Sequence, residues 1–167
     1  REEELGVLFF DADGDQDEDL YLVSGGYEFD LSDSSYQDRL FMNVDGQFTC
    51  APDALPHFLH SGSCVKAADF DRDGDLDLFV GGRVIPNNYP LPVSSYLLIN
   101  DGQGKFSIDS LAAPYLKDIG LISDALWTDY NNDGWMDLLV AGEWMPLTLL
   151  INSSGRFDQV LNIGDEG

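Results

Sequence analysis

Short apolar runs, each closed by glycine or by a cluster of Asp, Asn and Ser, recur along the whole chain. GVLFF (6–10), CVKAADF (64–70) and DALWTDY (124–130) each lead into an aspartate-rich segment. DLYLVSGG (19–26), DLDLFVGG (75–82) and MDLLVAGE (136–143) follow those segments and end near glycine. Runs this short, bounded by turn formers, predict buried strands rather than helices. A second unit recurs in step: an apolar strand, an Asn, a turn usually carrying Gly, then Phe. Its copies are RLFMNVDGQF (Arg39 to Phe48), YLLINDGQGKF (Tyr96 to Phe106) and LTLLINSSGRF (Leu147 to Phe157). These predict hairpins with Asn43, Asn100 and Asn152 at their turns.

Each period therefore holds four strands: one before the acidic segment, one after it, and the two arms of the hairpin. The acidic segments start at Asp11, Asp69 and Asp129, 58 and 60 residues apart, which marks an internal repeat. The expected fold class is all-β, a β-propeller segment of about three four-stranded antiparallel blades within residues 1–167. The blades are drawn at about 5–50, 63–109 and 122–160. Longer polar connections separate the second and third strands at Tyr27–Asp38, Arg83–Ser95 and Glu143–Pro146. They form one rim, where binding residues commonly sit. Inter-blade connectors are expected at Ala51–Gly62 and Ser110–Leu121. A repeat unit of this kind needs neighbours to bury its faces.

The acidic segments alternate their carboxylates. In the second, Asp69, Asp71, Asp73 and Asp77 stand at positions one, three, five and nine, with Gly74 at six and Asp75 at seven. A chain turning tightly around a hard cation points alternate side chains inward. Position seven then supplies a backbone carbonyl, and glycine at six permits the turn. The third copy fits the same frame with Asp129, Asn131, Asp133, Gly134, Trp135 and Asp137. The first has Asp11, Asp13, Asp15, Asp17 and Asp19, but Gln16 stands at position six and Gly14 at four. Its ligand set is complete and its turn is in doubt, so it ranks below the other two. An all-oxygen set without Cys or His points to Ca²⁺, in up to three sites, rather than to zinc or copper. Magnesium fits less well because it keeps several waters. An EF-hand is excluded, because position twelve is Leu22, Val80 or Val140 where that loop needs Glu, and because strands flank the loops. Metal-free acidic turns are the alternative, against which three in-phase copies argue.

In these two recurring motifs the chain resembles tandem FG-GAP/VCBS repeats, the calcium-loop blades of integrin alpha-chain propellers and of many secreted bacterial proteins. SGSCVKAADFDRDGDLDLFVGGR (Ser61–Arg83) and the YLLIN hairpin resemble in particular bacterial proteins of the cartilage-acidic-protein (ASPIC/UnbV-associated) type. The resemblance covers almost the whole chain. It implies a β-propeller, usually of about seven blades, and metal ligands at the odd positions. Three blades are too few to close a ring, and the chain starts at Arg1, so it is expected to be a fragment of a larger propeller. Association of copies to complete a ring is the lesser expectation.

Composition changes this picture in one respect. The 167 residues are 44% hydrophobic and 12% aromatic, enough for a packed core. Net charge is −23, and three divalent cations would bring it only to −17. That surface disfavours nucleic acid and anionic membranes as partners. It also implies repulsion in the metal-free loops, worst in the first, that calcium would relieve. Neither a signal peptide nor a transmembrane run is present in this stretch. Cys50 and Cys64 flank a connector, and either a disulfide or two free thiols fits.

Candidate chemistry beyond the loops is sparse. His57 and His60 in PHFLH are read as polar loop residues rather than ligands. Trp127 and Trp144 are expected between blades, whereas the Trp135 indole is free to be exposed. No nucleophile elbow, P-loop or dinucleotide fingerprint occurs. The expected function is a non-enzymatic, calcium-binding extracellular or periplasmic scaffold for adhesion, protein or glycan recognition. Its partners are the remaining blades or another copy, plus a ligand held by the rim. The alternative is the propeller portion of a secreted polysaccharide lyase or hydrolase, for which Arg83, Asn87, Asn88 and Tyr89 are the local candidates.

Overall fold

The computed structural model describes residues 3–30 and 32–164; Leu31, within the rim loop read at 27–38, lies outside them. The described residues form twelve strands in three four-stranded antiparallel sheets. The first sheet is β1 (Glu3–Phe10), β2 (Asp19–Gly25), β3 (Arg39–Val44) and β4 (Gln47–Cys50). The second is β5 (Ser61–Ala68), β6 (Asp77–Val84), β7 (Tyr96–Asn100) and β8 (Phe106–Ile108). The third is β9 (Leu121–Thr128), β10 (Asp137–Glu143), β11 (Leu147–Asn152) and β12 (Phe157–Ile163). Within each sheet the strands lie in chain order, so each is a meander. Among the described residues helix is limited to α1 (Ala113–Leu116) and a 3-10 turn at Ser34–Tyr36, both in connections. None of the described helices is long and apolar enough to cross a membrane.

The sheets stack as neighbouring blades. β5 packs on β1 and β2, and β9 packs on β5 and β6. The inner strands of the middle blade, β5 and β6, are therefore covered on both faces. In β6 every residue but Arg83 is buried, and alternate residues point to opposite neighbours. Leu78 and Val80 enter one core with Tyr21, Val23, Leu40, Val65 and Leu98 of the first two blades. Phe79 enters the other with Ile122, Trp127, Leu138, Val140 and Leu150. This explains why β6 reads as a continuous apolar run instead of an alternating one. The outer strand β4 is exposed throughout.

The connector between the first two blades is tied down by polar groups. The Gln37 carboxamide takes the Phe58 backbone N–H and the His57 ring, and its own N–H reaches Pro56 O. Beside it, buried Asp38 accepts from Tyr21 Oη at 2.8 Å and from the Ser24 N–H at 2.7 Å. His60 Nε2 lies 3.3 Å from the same carboxylate. His60 is 3% exposed and packs against Phe58 and Tyr96, so it is a core residue with an acidic partner and not the polar loop residue expected. The partner sits 22 positions away in sequence, beyond the reach of a local spacing argument.

One further expectation is corrected, and one left open is decided. Trp127 does lie between blades, donating to Lys66 O and packing on Phe70. Trp144 does not: it is 75% exposed, in the β10–β11 turn, with φ of +57°. The β10–β11 reversal places Trp144 in the left-handed region, with its indole outside the blade interface. Both cysteines are free thiols, Cys50 exposed and Cys64 buried.

Candidate metal centres

Each acidic segment joins the first strand of a blade to the second, and the three adopt one conformation. The position-five N–H donates to the position-three side chain: Asp15 to Asp13, Asp73 to Asp71, Asp133 to Asn131. The position-seven N–H then donates to the position-five carboxylate: Asp17 to Asp15, Asp75 to Asp73, Trp135 to Asp133. These successive turns, closed by short side chains, wind the loop and gather its odd-position oxygens. The carboxylates of Asp11, Asp13 and Asp15 lie within 4.8 Å of one another, as do those of Asp69, Asp71 and Asp73.

The turn of the first loop forms despite lacking glycine at position six. Gln16 takes φ of +76°, where Gly74 and Gly134 have +100° and +86°. Position four is also left-handed in all three loops: Gly14 at +79°, Arg72 at +63° and Asn132 at +58°. Each loop thus carries two left-handed residues, one glycine and one not. The first merely exchanges the two, and sequence reasoning missed this by looking for glycine at position six alone.

The position-nine aspartates have a separate role. Asp19, Asp77 and Asp137 are all buried. In each, one oxygen accepts the position-two N–H of its own loop: Ala12, Phe70 or Tyr130. The other accepts the backbone N–H of the hairpin Asn: Asn43, Asn100 or Asn152. The two motifs that recur in the sequence are therefore bonded to each other. Charge-assisted bonds of this kind contribute about 1.5–3 kcal/mol apiece. Each oxygen keeps a second lone-pair direction for a cation.

Crowded carboxylates at a half-buried site resist ionisation. Burial, then the Asp73 charge, pushes Asp75 up to about 6. Burial pushes Asp77 up to about 7, against the pull of the Asn100 and Phe70 N–H groups. Asp13 and Asp71 are also raised, by burial first and by neighbouring aspartates next. A site that makes protons bind more tightly is one that a divalent cation would relieve.

The loops differ in what their carboxylates are already doing. Asp11 accepts from the Gly14 and Gln16 N–H groups, and Asp129 from those of Asp133 and Gly134. Asp69 makes no such bond, and its Oδ1 is buried without a partner among the described residues, as are Asp75 Oδ1 and Asp17 Oδ1. Unpartnered buried carboxylate oxygens beside other carboxylates suit a cation-binding loop. The second loop fits a cation best and the first next. The third is the least acidic, with Asn131 donating to Asp133 at 2.9 Å. Trp135 is half-buried rather than free, because the Arg72 guanidinium stacks on its ring at 4.1 Å and reaches Asp133 O. That contact links the second and third loops.

Residues 11–80, which span the first two acidic loops and the hairpin between them, match the FG-GAP-like repeat. No curated protein matches the chain.

Proposed function

We propose that the chain is part of a calcium-stabilised propeller scaffold, working outside the cytoplasm as a non-enzymatic module for adhesion or recognition. The observation that carries the calcium part is the second loop. There, three carboxylates converge within 4.8 Å while Asp69 Oδ1 and Asp75 Oδ1 stay buried and unpartnered. Asp69, Asp71, Asp73 and Asp77 would hold the ion, with the position-seven residue Asp75 adding oxygen. The equivalents are Asp11, Asp13, Asp15, Asp17 and Asp19 in the first loop, and Asp129, Asn131, Asp133, Trp135 and Asp137 in the third. Calcium supplies positive charge and oxygen coordination there, and no redox or acid–base chemistry.

The scaffold role follows from where the loops sit. Each fixes the β-hairpin at one end of a blade, and its position-nine Asp fixes the outer hairpin to the same point. Oxygen-rich loops of this kind suit the calcium concentrations outside the cell, which favours an extracellular or periplasmic setting. The resemblance to FG-GAP/VCBS propellers supports the same reading, with further blades or a second copy completing the ring.

Thermal unfolding with and without calcium tests it. A large rise in melting temperature in millimolar calcium, reversed by chelator, is expected, because a ligand that binds only the folded state stabilises it by mass action. An unchanged melting curve would remove the structural-calcium reading.

A further inference from the structure

At the rim opposite the acidic loops the three blades meet around a cavity of about 340 Å³. The topology places it there. The loops close the β1–β2, β5–β6 and β9–β10 turns, whereas the cavity is lined at the other ends of those strands. Its walls are Tyr27 just after β2, Arg83 and Val84 ending β6, Leu121 starting β9, Glu143 ending β10, and Tyr89 from the β6–β7 loop. All three blades contribute, so the cavity exists only in the assembled segment.

Its polar groups are oriented from outside. The Trp144 indole N–H donates to Tyr89 Oη at 2.7 Å, and Tyr89 Oη donates to Glu143 Oε2 at 3.1 Å. This chain joins the second blade to the third across 55 residues and holds the indole against Tyr89, a residue of the cavity wall. Trp144 is 75% exposed, Tyr89 51% and Tyr27 44%. Two large aromatic rings in the wall of one concavity and a third bonded to one of them, all open to solvent, is an arrangement that folding alone does not favour. The left-handed backbone at Trp144 is strained for so bulky a residue, and such strain concentrates at binding sites. Arg83 has no hydrogen-bond or ion-pair partner among the described residues, nor does Glu143 Oε1.

We infer that this cavity is a binding site for a neutral hexopyranose unit of a glycan, with Trp144 and Tyr89 as stacking platforms and Glu143 and Arg83 as hydroxyl-binding groups. Flat aromatic faces suit the C–H face of a pyranose ring. A carboxylate accepts from ring hydroxyls and a guanidinium donates to them. The volume falls in the range of small-ligand pockets. Neutral sugar is favoured over uronic or sulfated sugar because the chain carries a net charge of −23 and Glu143 lies in the wall. The inference deepens the recognition role proposed above and rests on it.

The test is a glycan array probed with the whole chain in calcium, followed by tryptophan-fluorescence titration with malto-, cello- and manno-oligosaccharides. Saturable binding to at least one neutral series is expected. Trp144→Ala should weaken it about tenfold or more, as loss of a central aromatic anchor does. Tyr89→Phe, which keeps the ring but breaks the bond to Glu143, should weaken it several-fold without changing the calcium-dependent melting. Glu143→Gln should do likewise. No neutral glycan bound by a chain that calcium still stabilises overturns the site and leaves the scaffold standing. Binding that Trp144→Ala and Glu143→Gln leave intact, binding confined to anionic glycans, or a peptide captured in place of sugar also overturns it. If calcium fails to stabilise the chain, the scaffold reading falls separately.

Discussion

The side-chain amide of Asn152 donates to Phe70 O at 2.9 Å, in a buried bond that spans 82 residues and two blades. Asn100 does the same to Ala12 O at 2.8 Å. The acceptor is each time position two of the preceding acidic loop, and the donor is the hairpin Asn whose own backbone is held by Asp137 or Asp77. The phenylalanines that follow make the matching apolar contacts, Phe106 on Phe10 and Phe157 on Phe70. The Asn-turn-Phe motif is thus the device by which a blade grips the loop before it.

Replacing Asn152 by Asp keeps the shape and removes the amide donor. It should cost about 1–3 kcal/mol, since buried Phe70 O loses its partner and a carboxylate faces it. Chemical denaturation of Asn152→Asp and Asn100→Asp checks this. Losses within error of zero would mean that the inter-blade amide bond carries no stability.

The raised carboxyls set a pH dependence. The folded-state values of Asp75, about 6, and Asp77, about 7, stand above the ordinary 3.8. The folded chain therefore binds more protons than the unfolded one across that window. Their contribution is fully present below about pH 4 and is lost as pH rises through about 6 to 7. Metal-free protein is expected to melt higher at about pH 5 than at about pH 7.5. Calcium must displace these protons, so its stabilising effect should be larger at the higher pH. Melting curves in chelator and in calcium at both values decide; a chelated sample that gains stability with rising pH contradicts the assignment.

Gln16 sits at a backbone angle that glycine holds without strain. Gln16→Gly should stabilise the chain by up to about 1–2 kcal/mol, offset in part by added freedom in the unfolded state. The same reasoning fails for Arg72, whose φ is +63°. Arg72→Gly relieves strain but removes the guanidinium from the Trp135 ring, so little net change is expected. The paired melting temperatures test whether position six of the first loop is the strained one.

Arg72 is also the link between two loops. Arg72→Ala should leave stability within about 1 kcal/mol, because the contact is solvent-exposed. It should alter the Trp135 fluorescence and weaken any coupling between cations bound to the second and third loops. Calcium titration of wild type and variant, followed at the indole, measures this. An unchanged emission spectrum would contradict the stacking.

The strands and loops were legible because both signals are local. Alternating aspartates beside glycine specify a turn wherever they occur, and the repeat at 58 and 60 residues fixes four strands per blade. Residues whose role depends on distant partners were not. His60 reads as a loop residue until Asp38 is brought beside it, and Trp144 reads as core because its hydrophobicity says nothing of a left-handed turn. The position-nine aspartates were legible as loop members. Their second role, holding the hairpin Asn, needed the register of a strand pair far along the chain. The rim cavity draws on all three blades and has no sequence signature of its own.

The amide grip of each blade on the loop before it follows the order of synthesis. Ala12 and Phe70 leave the ribosome long before Asn100 and Asn152, so an acidic loop waits, unfinished, for the repeat that follows to arrive. A chain cut after the second repeat would strip the cover from Phe70 and leave its carbonyl bare, while the first loop kept its own.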